Sequence, residues 1–358
     1  MKTLRLPIDP DNLESDSAGD AIDRAAGILR GGGLVAFPTE TVYGLGANAL
    51  SSDAVEKIFI AKQRPTWDPV IVHISGPAML ASVAKADRCE GAARELMDRF
   101  WPGPLTLLLP RTEQVPSIVT AGRPLVGVRM PAHPVTRALI AAAGVPIAAP
   151  SANSFGRISP TLATHVLEDL DGRIDAVLDA GETTLGLEST VVDASQNPVV
   201  LYRPGTITIE SIRAVCGDVI EWKALQPLSE TPPESLPSPG AGIRHYAPRA
   251  RLVAVDERFG SVSQALSDAV RDASLGYSRV GVLLPEDHPA AELIRRDPKI
   301  IVFDWGRFSD AEHLARRLFA GLRSLDRAGV DIILCPLPPP GGIGKAIRDR
   351  LLKAAKLS

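Results

Sequence analysis

The feature that most constrains the fold is a succession of short apolar runs that end on polar or cationic residues. Leu34-Val35-Ala36-Phe37 leads straight into Pro38-Thr39-Glu40-Thr41, and Val70-Ile71-Val72 into His73. Residues 105–109 form another run; Val126-Gly127-Val128 ends in Arg129, and Val199-Val200-Leu201-Tyr202 in Arg203. Residues 145–149 precede Ser151, and Ser189 opens the run 190–192. Runs this short suit buried strands better than helices. Between them, residues 17–30, 52–61, 92–100, 134–143 and 162–170 have helical spacing. Ser17 and Asp20 are the expected capping pair of the first helix, and Gly31-Gly32-Gly33 its stop. Helix, strand and hairpin signals are interleaved, which predicts an α/β fold on a mixed sheet. In such sheets the polar residues just past a buried strand carry the chemistry.

The chain has 358 residues, which predicts two domains. The expected division is 1–220 for the first domain, 221–249 for a linker and 250–358 for a second. Residues 225–239 are rich in Pro, Ser and Glu and lack periodicity, as a linker would be. From Arg251 on, strand-like runs at 252–255, 280–284, 300–303 and 332–334 alternate with helical segments. That pattern predicts a small parallel βαβα domain. Gly341-Gly342-Ile343-Gly344-Lys345-Ala346 is not a P-loop. Pro339 stands where the opening glycine belongs, and Ala346 replaces the magnesium-binding Ser or Thr. It reads as the start of a helix that buries Ile343, Ile347, Leu351 and Ala354.

Composition narrows the function. A formal net charge of −3 argues against a dedicated nucleic-acid or anionic-membrane binder. Cys89, Cys216 and Cys335 are far apart, which disfavours a disulfide framework or zinc knuckle and favours a reducing compartment. The N-terminal residues hold no apolar core of signal-peptide length, and no run is long enough to span a bilayer. The expectation is a cytoplasmic protein without a membrane partner. The glycines of residues 38–46 do not make a GxGxxG fingerprint.

Lys62-Gln63-Arg64-Pro65 closes the helix at 52–61. Two cations in one exit turn can converge on an anion, although a solvated turn has the same composition. Ser151-Ala152-Asn153 sets a hydroxyl and an amide just past a strand, which suits a phosphate-bearing ligand. Arg129 at a strand end can grip a carboxylate with two prongs. His73, inside a strand, has a packed core role as its commoner alternative.

Taken in order, these pieces carry a resemblance. They are residues 37–45, Lys62-Gln63-Arg64-Pro65, Trp101-Pro102-Gly103-Pro104-Leu105-Thr106, Val128-Arg129-Met130-Pro131, Pro150-Ser151-Ala152-Asn153, Glu188-Ser189-Thr190-Val191, Arg203-Pro204-Gly205, and Ser238-Pro239-Gly240 through His245-Tyr246. The sequence resembles the threonylcarbamoyl-AMP synthases, the YrdC-type family, in the long form with a C-terminal accessory domain. The resemblance implies a twisted mixed-sheet YrdC-like domain with a large cavity, followed by a smaller Rossmann-like parallel α/β domain. It implies a nucleotidyltransferase that joins L-threonine, bicarbonate or CO2, and ATP into threonylcarbamoyl-AMP, with pyrophosphate released. The product would pass to machinery that modifies tRNA beside the anticodon.

By the same resemblance, Thr41, His73, Arg129, the Ala149 backbone and Ser189 seat threonine. Lys62, Arg64, Asp68, Leu125, Ser151, Asn153, Ser159, Arg203 and Tyr246 contact ATP, with Lys62 and Arg64 also catalytic. Mg2+ would ride on the ATP phosphates rather than in a protein cage. The segment Arg244-His245-Tyr246 would fold over the cavity and exclude water. Three positions depart from the family's habit. Asp68 stands where asparagine is frequent, and a carboxylate near a triphosphate needs an offsetting charge from Lys62 or magnesium. Leu125 replaces threonine, which leaves only its backbone for a contact. Asp349 replaces asparagine in the last helix. Two other functions compete: a double-stranded-RNA or tRNA-binding module without catalysis, and a carbamoyl-phosphate-dependent transferase, which would ordinarily carry zinc-finger modules.

Overall fold

The computed structural model describes residues 2–85, 89–222, 236, 238, 246–256 and 262–355. It divides into two compact units. The first comprises Met1–Phe155, Ser159–Thr184 and Glu188–Gly242; the second comprises Gly156–Ile158, Leu185–Leu187 and Ile243–Ser358. Most of the expected linker, including Arg244 and His245, lies outside the described residues.

The first unit is built on strands β1 (Leu4–Pro7), β2 (Val35–Phe37), β3 (Gly44–Asn48), β4 (Ile71–His73), β5 (Leu105–Pro110), β6 (Leu125–Arg129), β7 (Ile147–Ala148), β8 (Ala176–Asp179), β9 (Thr190–Asp193), β10 (Val199–Arg203) and β11 (Val219–Glu221). Among the described residues they form one sheet in the order β1-β8-β2-β3-β7-β4-β6-β5-β9-β10-β11. The sheet is mixed: β4 runs parallel to β6 but antiparallel to β7, and β5 runs antiparallel to β6 but parallel to β9.

Side chains alternate across a strand, so each buried strand feeds two cores. Val35, Phe37, Ile147 and Leu178 join one core with the helices Asp16–Arg30 and Pro134–Ala143. Ala36, Ala148 and Val177 join the other with Ser52–Lys62, Ala92–Phe100 and Ala163–Leu170. Burial on both faces explains why the strands read as unbroken apolar runs rather than alternating ones.

Three local expectations are corrected. The cap of the first helix is Ser15, whose hydroxyl accepts from the Ala18 N–H; Ser17 and Asp20 sit inside the helix or on its surface. Lys62 is the last residue of its helix rather than the first beyond it, and Gln63 takes the left-handed cap at φ 54°. Part of the polar stretch after β2 is itself a strand, β3, which periodicity did not reveal. Its glycines are there for clearance: a Cβ on Gly46 would come within 2.6 Å of the Phe37 ring and 2.7 Å of Ile147.

The second unit holds β12 (Arg251–Val255), β13 (Val280–Pro285), β14 (Ile300–Gly306) and β15 (Ile332–Pro336) in the order β12-β15-β13-β14, all parallel. Helices Val262–Gly276, Ala291–Arg295 and Ala311–Arg327 supply the crossovers, as the alternating pattern required, and Ile343–Ala355 follows the last strand. Asp349 has a polar role: it pairs with Arg350 at 2.7 Å and Lys353 at 3.0 Å, and those charges hold its pKa down against burial.

Candidate active site

The residues expected to seat threonine lie in the first unit. Arg129 ends β6 and is in register with His73 at the end of β4. Its Nη1 donates to the Thr41 hydroxyl at 2.8 Å, its Nε donates to the Gly103 carbonyl at 3.2 Å, and its Nη2 lies 2.6 Å from Glu40 Oε1. The loop carrying Glu40 and Thr41 is tightly held. Thr39 Oγ1 is 2.7 Å from the Thr41 hydroxyl and donates to the Val42 carbonyl, while Thr136 donates to the Pro38 carbonyl. His73 is buried edge-on to Phe37. Burial, then the adjacent Arg129, push its pKa down to about 3, so it is a neutral imidazole at physiological pH.

Further along the sheet, β5 lies between β6 and β9, and this brings Thr106 against Ser189, hydroxyl to hydroxyl at 2.7 Å. Arg203, at the end of β10, donates to the Ser189 carbonyl at 3.0 Å and to its hydroxyl at 3.1 Å. Gly205 lets this corner close, since a Cβ there would meet the Thr190 nitrogen at 2.5 Å. Ala149 spends its N–H on the Ile71 carbonyl, so a ligand contact from its backbone runs through its own carbonyl.

The cationic turn is buried, not solvated. The Lys62 ammonium donates to the carbonyls of Ser151 and Asn153. Desolvation and the neighbouring Arg64 push its pKa well below the ordinary lysine value, while Asp169 and Asp68 pull it back. Arg64 pairs with Asp68 at 2.9 Å, donates to the Pro69 carbonyl at 2.7 Å and stands over the Phe155 ring. Arg64 is therefore an offsetting cation for Asp68 that the sequence reading, which looked to Lys62 or magnesium, did not name. Ser159 donates to Glu188, a carboxylate partner that the sequence reading missed. Leu125, half-buried, opens β6 opposite Pro110.

Short backbone links join the two groups. Gly44 bridges to Ser151, the Leu45 N–H donates to Pro150, and the Ala152 N–H donates to Tyr43. The loop with Thr41 and the loop with Ser151 and Asn153 are thus adjacent pieces of one framework. A surface hollow of about 500 Å³ lined by Leu34, Lys57, Ile60, Ala61, Gln63, Arg173 and Asp175 includes none of these residues.

A family model described as "Telomere recombination" matches residues 27–205, and one described as "Threonylcarbamoyl-AMP synthase, C-terminal domain" matches residues 207–356. The threonylcarbamoyl-AMP synthase of Pyrococcus abyssi is 44% identical over 331 residues, covering 92% of this chain and 93% of the relative. This chain belongs to the threonylcarbamoyl-AMP synthases. The Bacillus subtilis synthase is also 44% identical, over 99% of this chain and 98% of its own length. The crystal structure of P. abyssi Sua5 complexed with L-threonine superposes with a TM-score of 0.85 at 40% identity, covering 99% of this chain and 98% of that one. This synthase has a mixed-sheet first unit and a parallel-sheet second unit, as the resemblance implied.

Of the residues expected to contact ATP, Tyr246 belongs to the second unit. It is buried at φ 67°, stacked on Phe319 at 5.6 Å, with the Arg350 guanidinium over its ring at 5.3 Å. Among the described residues, no helix is long and apolar enough to cross a membrane.

Proposed function

We propose that this synthase converts L-threonine, CO2 or bicarbonate, and ATP into L-threonylcarbamoyl-AMP and pyrophosphate. The observation that carries the reading is the buried Arg129 fork, held by Thr41 and in register with His73, on the framework that also seats Lys62. Arg129 grips the threonine carboxylate, for which a planar guanidinium is suited. Neutral His73 and the Ser189 hydroxyl serve the rest of the amino acid, with the Ala149 carbonyl beside them.

Once carbamoylated, the threonine nitrogen carries a carbamate whose oxygen attacks the α-phosphorus, and the bond to pyrophosphate breaks. No protein nucleophile is required, so the chain works by placement and charge neutralisation. Lys62, Arg64 and Arg203 offset the triphosphate and the departing pyrophosphate. Ser151, Asn153 and Ser159 add neutral hydrogen bonds, and Leu125 contributes backbone only. A bound polyanion reverses the downward push on the Lys62 pKa and holds the ammonium charged. The groups gathered here are mainly cations, hydroxyls and amides, with Asp68 already paired to Arg64. Such a set suits phosphate oxygens, and leaves Mg2+ to travel on ATP. By the family resemblance, the segment with Arg244, His245 and Tyr246 has the role of excluding water. The product leaves for a transferase acting on tRNA next to the anticodon, in the cytoplasm.

The test is pyrophosphate release from Mg-ATP by the purified chain. It should require threonine and bicarbonate together. Release with either one alone would overturn the reading.

A further inference from the structure

Three of the residues discussed above share an unusual state with His133. Glu40, His73, Arg129 and His133 are at least partly buried. Yet Glu40 Oε1 and Oε2, His73 Nδ1, Arg129 Nη2 and His133 Nδ1 have no aligned hydrogen-bond partner among the described residues. The Arg129–Glu40 contact is close at 2.6 Å, but it is an ion pair whose N–H does not point along the contact. Glu40 is itself 7% exposed and Arg129 3%. Buried polar atoms without hydrogen bonds are costly, and charged ones most of all. A fold that keeps both an acceptor and a donor in that state, side by side, suits a ligand that supplies the two complementary groups.

Charge points the same way. An arginine alone would favour any carboxylate. With Glu40 at 2.6 Å the pair is formally neutral, and a bare carboxylate placed on Arg129 would also meet the Glu40 anion. A zwitterion removes that conflict, because its ammonium can face the carboxylate. Glu40 cannot easily swing aside. Thr39 and Thr41 brace its loop from within, Thr136 holds the Pro38 carbonyl, and Thr184 donates to the Glu40 carbonyl at 3.4 Å. At His133, burial pushes the pKa down while the nearby Glu40 pulls it up, with burial the larger effect.

We infer that Glu40 is the receptor for the α-ammonium of the amino-acid substrate, and that it makes the Arg129 site select a zwitterionic amino acid over a simple hydroxy acid. This rests on threonine being the substrate, as proposed above. The site then recognises threonine by both of its charged ends, and the nitrogen to be carbamoylated is fixed by the carboxylate that also pairs with Arg129.

The test compares L-threonine with (R)-3-hydroxybutyrate, which is the same molecule without the amino group, by calorimetric titration of the full chain. Wild type should bind threonine at least tenfold more tightly. Glu40→Gln should erase most of that preference by weakening threonine roughly ten- to a hundredfold, while the hydroxy acid binds as well as before or better. Glu40→Asp, which keeps the charge, should retain part of the preference and serves as the second variant should the glutamine form fold poorly. Equal weakening of both ligands in Glu40→Gln would show that the carboxylate only props Arg129, and would overturn the inference. So would unchanged threonine binding in both variants. Wild type that binds no threonine would instead overturn the substrate reading itself.

Discussion

At the scale of single residues, this protein buries charge in pairs. Arg64 and Asp68 are both buried, 2.9 Å apart, so each offsets the buried charge of the other. Arg64→Ala should therefore abolish threonine-dependent pyrophosphate release and also destabilise the fold, by about 3–5 kcal/mol in urea unfolding. Adding Asp68→Asn to that variant should recover most of the stability and none of the activity. Lys62→Ala should lose activity as well, because no other ammonium reaches the Ser151 and Asn153 carbonyls among the described residues. His73 gives a pH signature. Its folded pKa of about 3 lies below the unfolded value of 6.5, so between them the unfolded chain binds the extra proton. Stability is then greatest above pH 6.5 and falls as the pH drops toward 3, by on the order of 5 kcal/mol in total. His73→Gln should flatten that part of the curve in equilibrium unfolding at stepped pH. An unchanged slope would mean that the imidazole is not desolvated.

At the scale of elements, the site depends on how closely strands approach. β3 packs with glycine at positions where a methyl group would strike Phe37, and Phe37 in turn sets the edge of His73. Gly46→Ala should cost about 1–3 kcal/mol from overpacking. It should also raise the threonine KM more than the ATP KM, because the displaced ring packs on His73, proposed above to serve threonine. Equal changes in both KM values would place the disturbance elsewhere. The strands themselves were legible as apolar runs, and most helices were legible from spacing and from Gly or Pro stops. The glycine-rich β3 and the edge strands β1 and β11 were not. Glycine has no side chain to declare a buried face, and edge strands alternate too briefly to stand out.

At the scale of the whole molecule, the second unit takes in pieces of chain that precede it by many residues. Arg157 pairs with Asp326 at 3.2 Å, Arg323 donates to the Ile158 carbonyl at 2.5 Å, and the Ala247 N–H donates to Gly156 at 2.9 Å. A chain cut after Pro237 removes those partners and the proposed cover. It should lose threonine-dependent pyrophosphate release and become protease-sensitive around residues 156–158. A fully active fragment would show that neither is needed. The amino-acid sequence by itself determined where most strands and helices fall, which side chains are chemically equipped, and the family to which the order of motifs belongs. Those properties are local, and are carried by periodicity, turn residues and short motifs. Only the tertiary structure decided which groups pair: Glu40 with Arg129 and Asp68 with Arg64 as ions, and Glu188 with the Ser159 hydroxyl. Of these pairs only Asp68 and Arg64 are near neighbours in the chain, and even they meet in the turn beyond a helix rather than within one. Such pairings follow from strand register and from the path of loops, which packing sets and no single stretch of residues encodes.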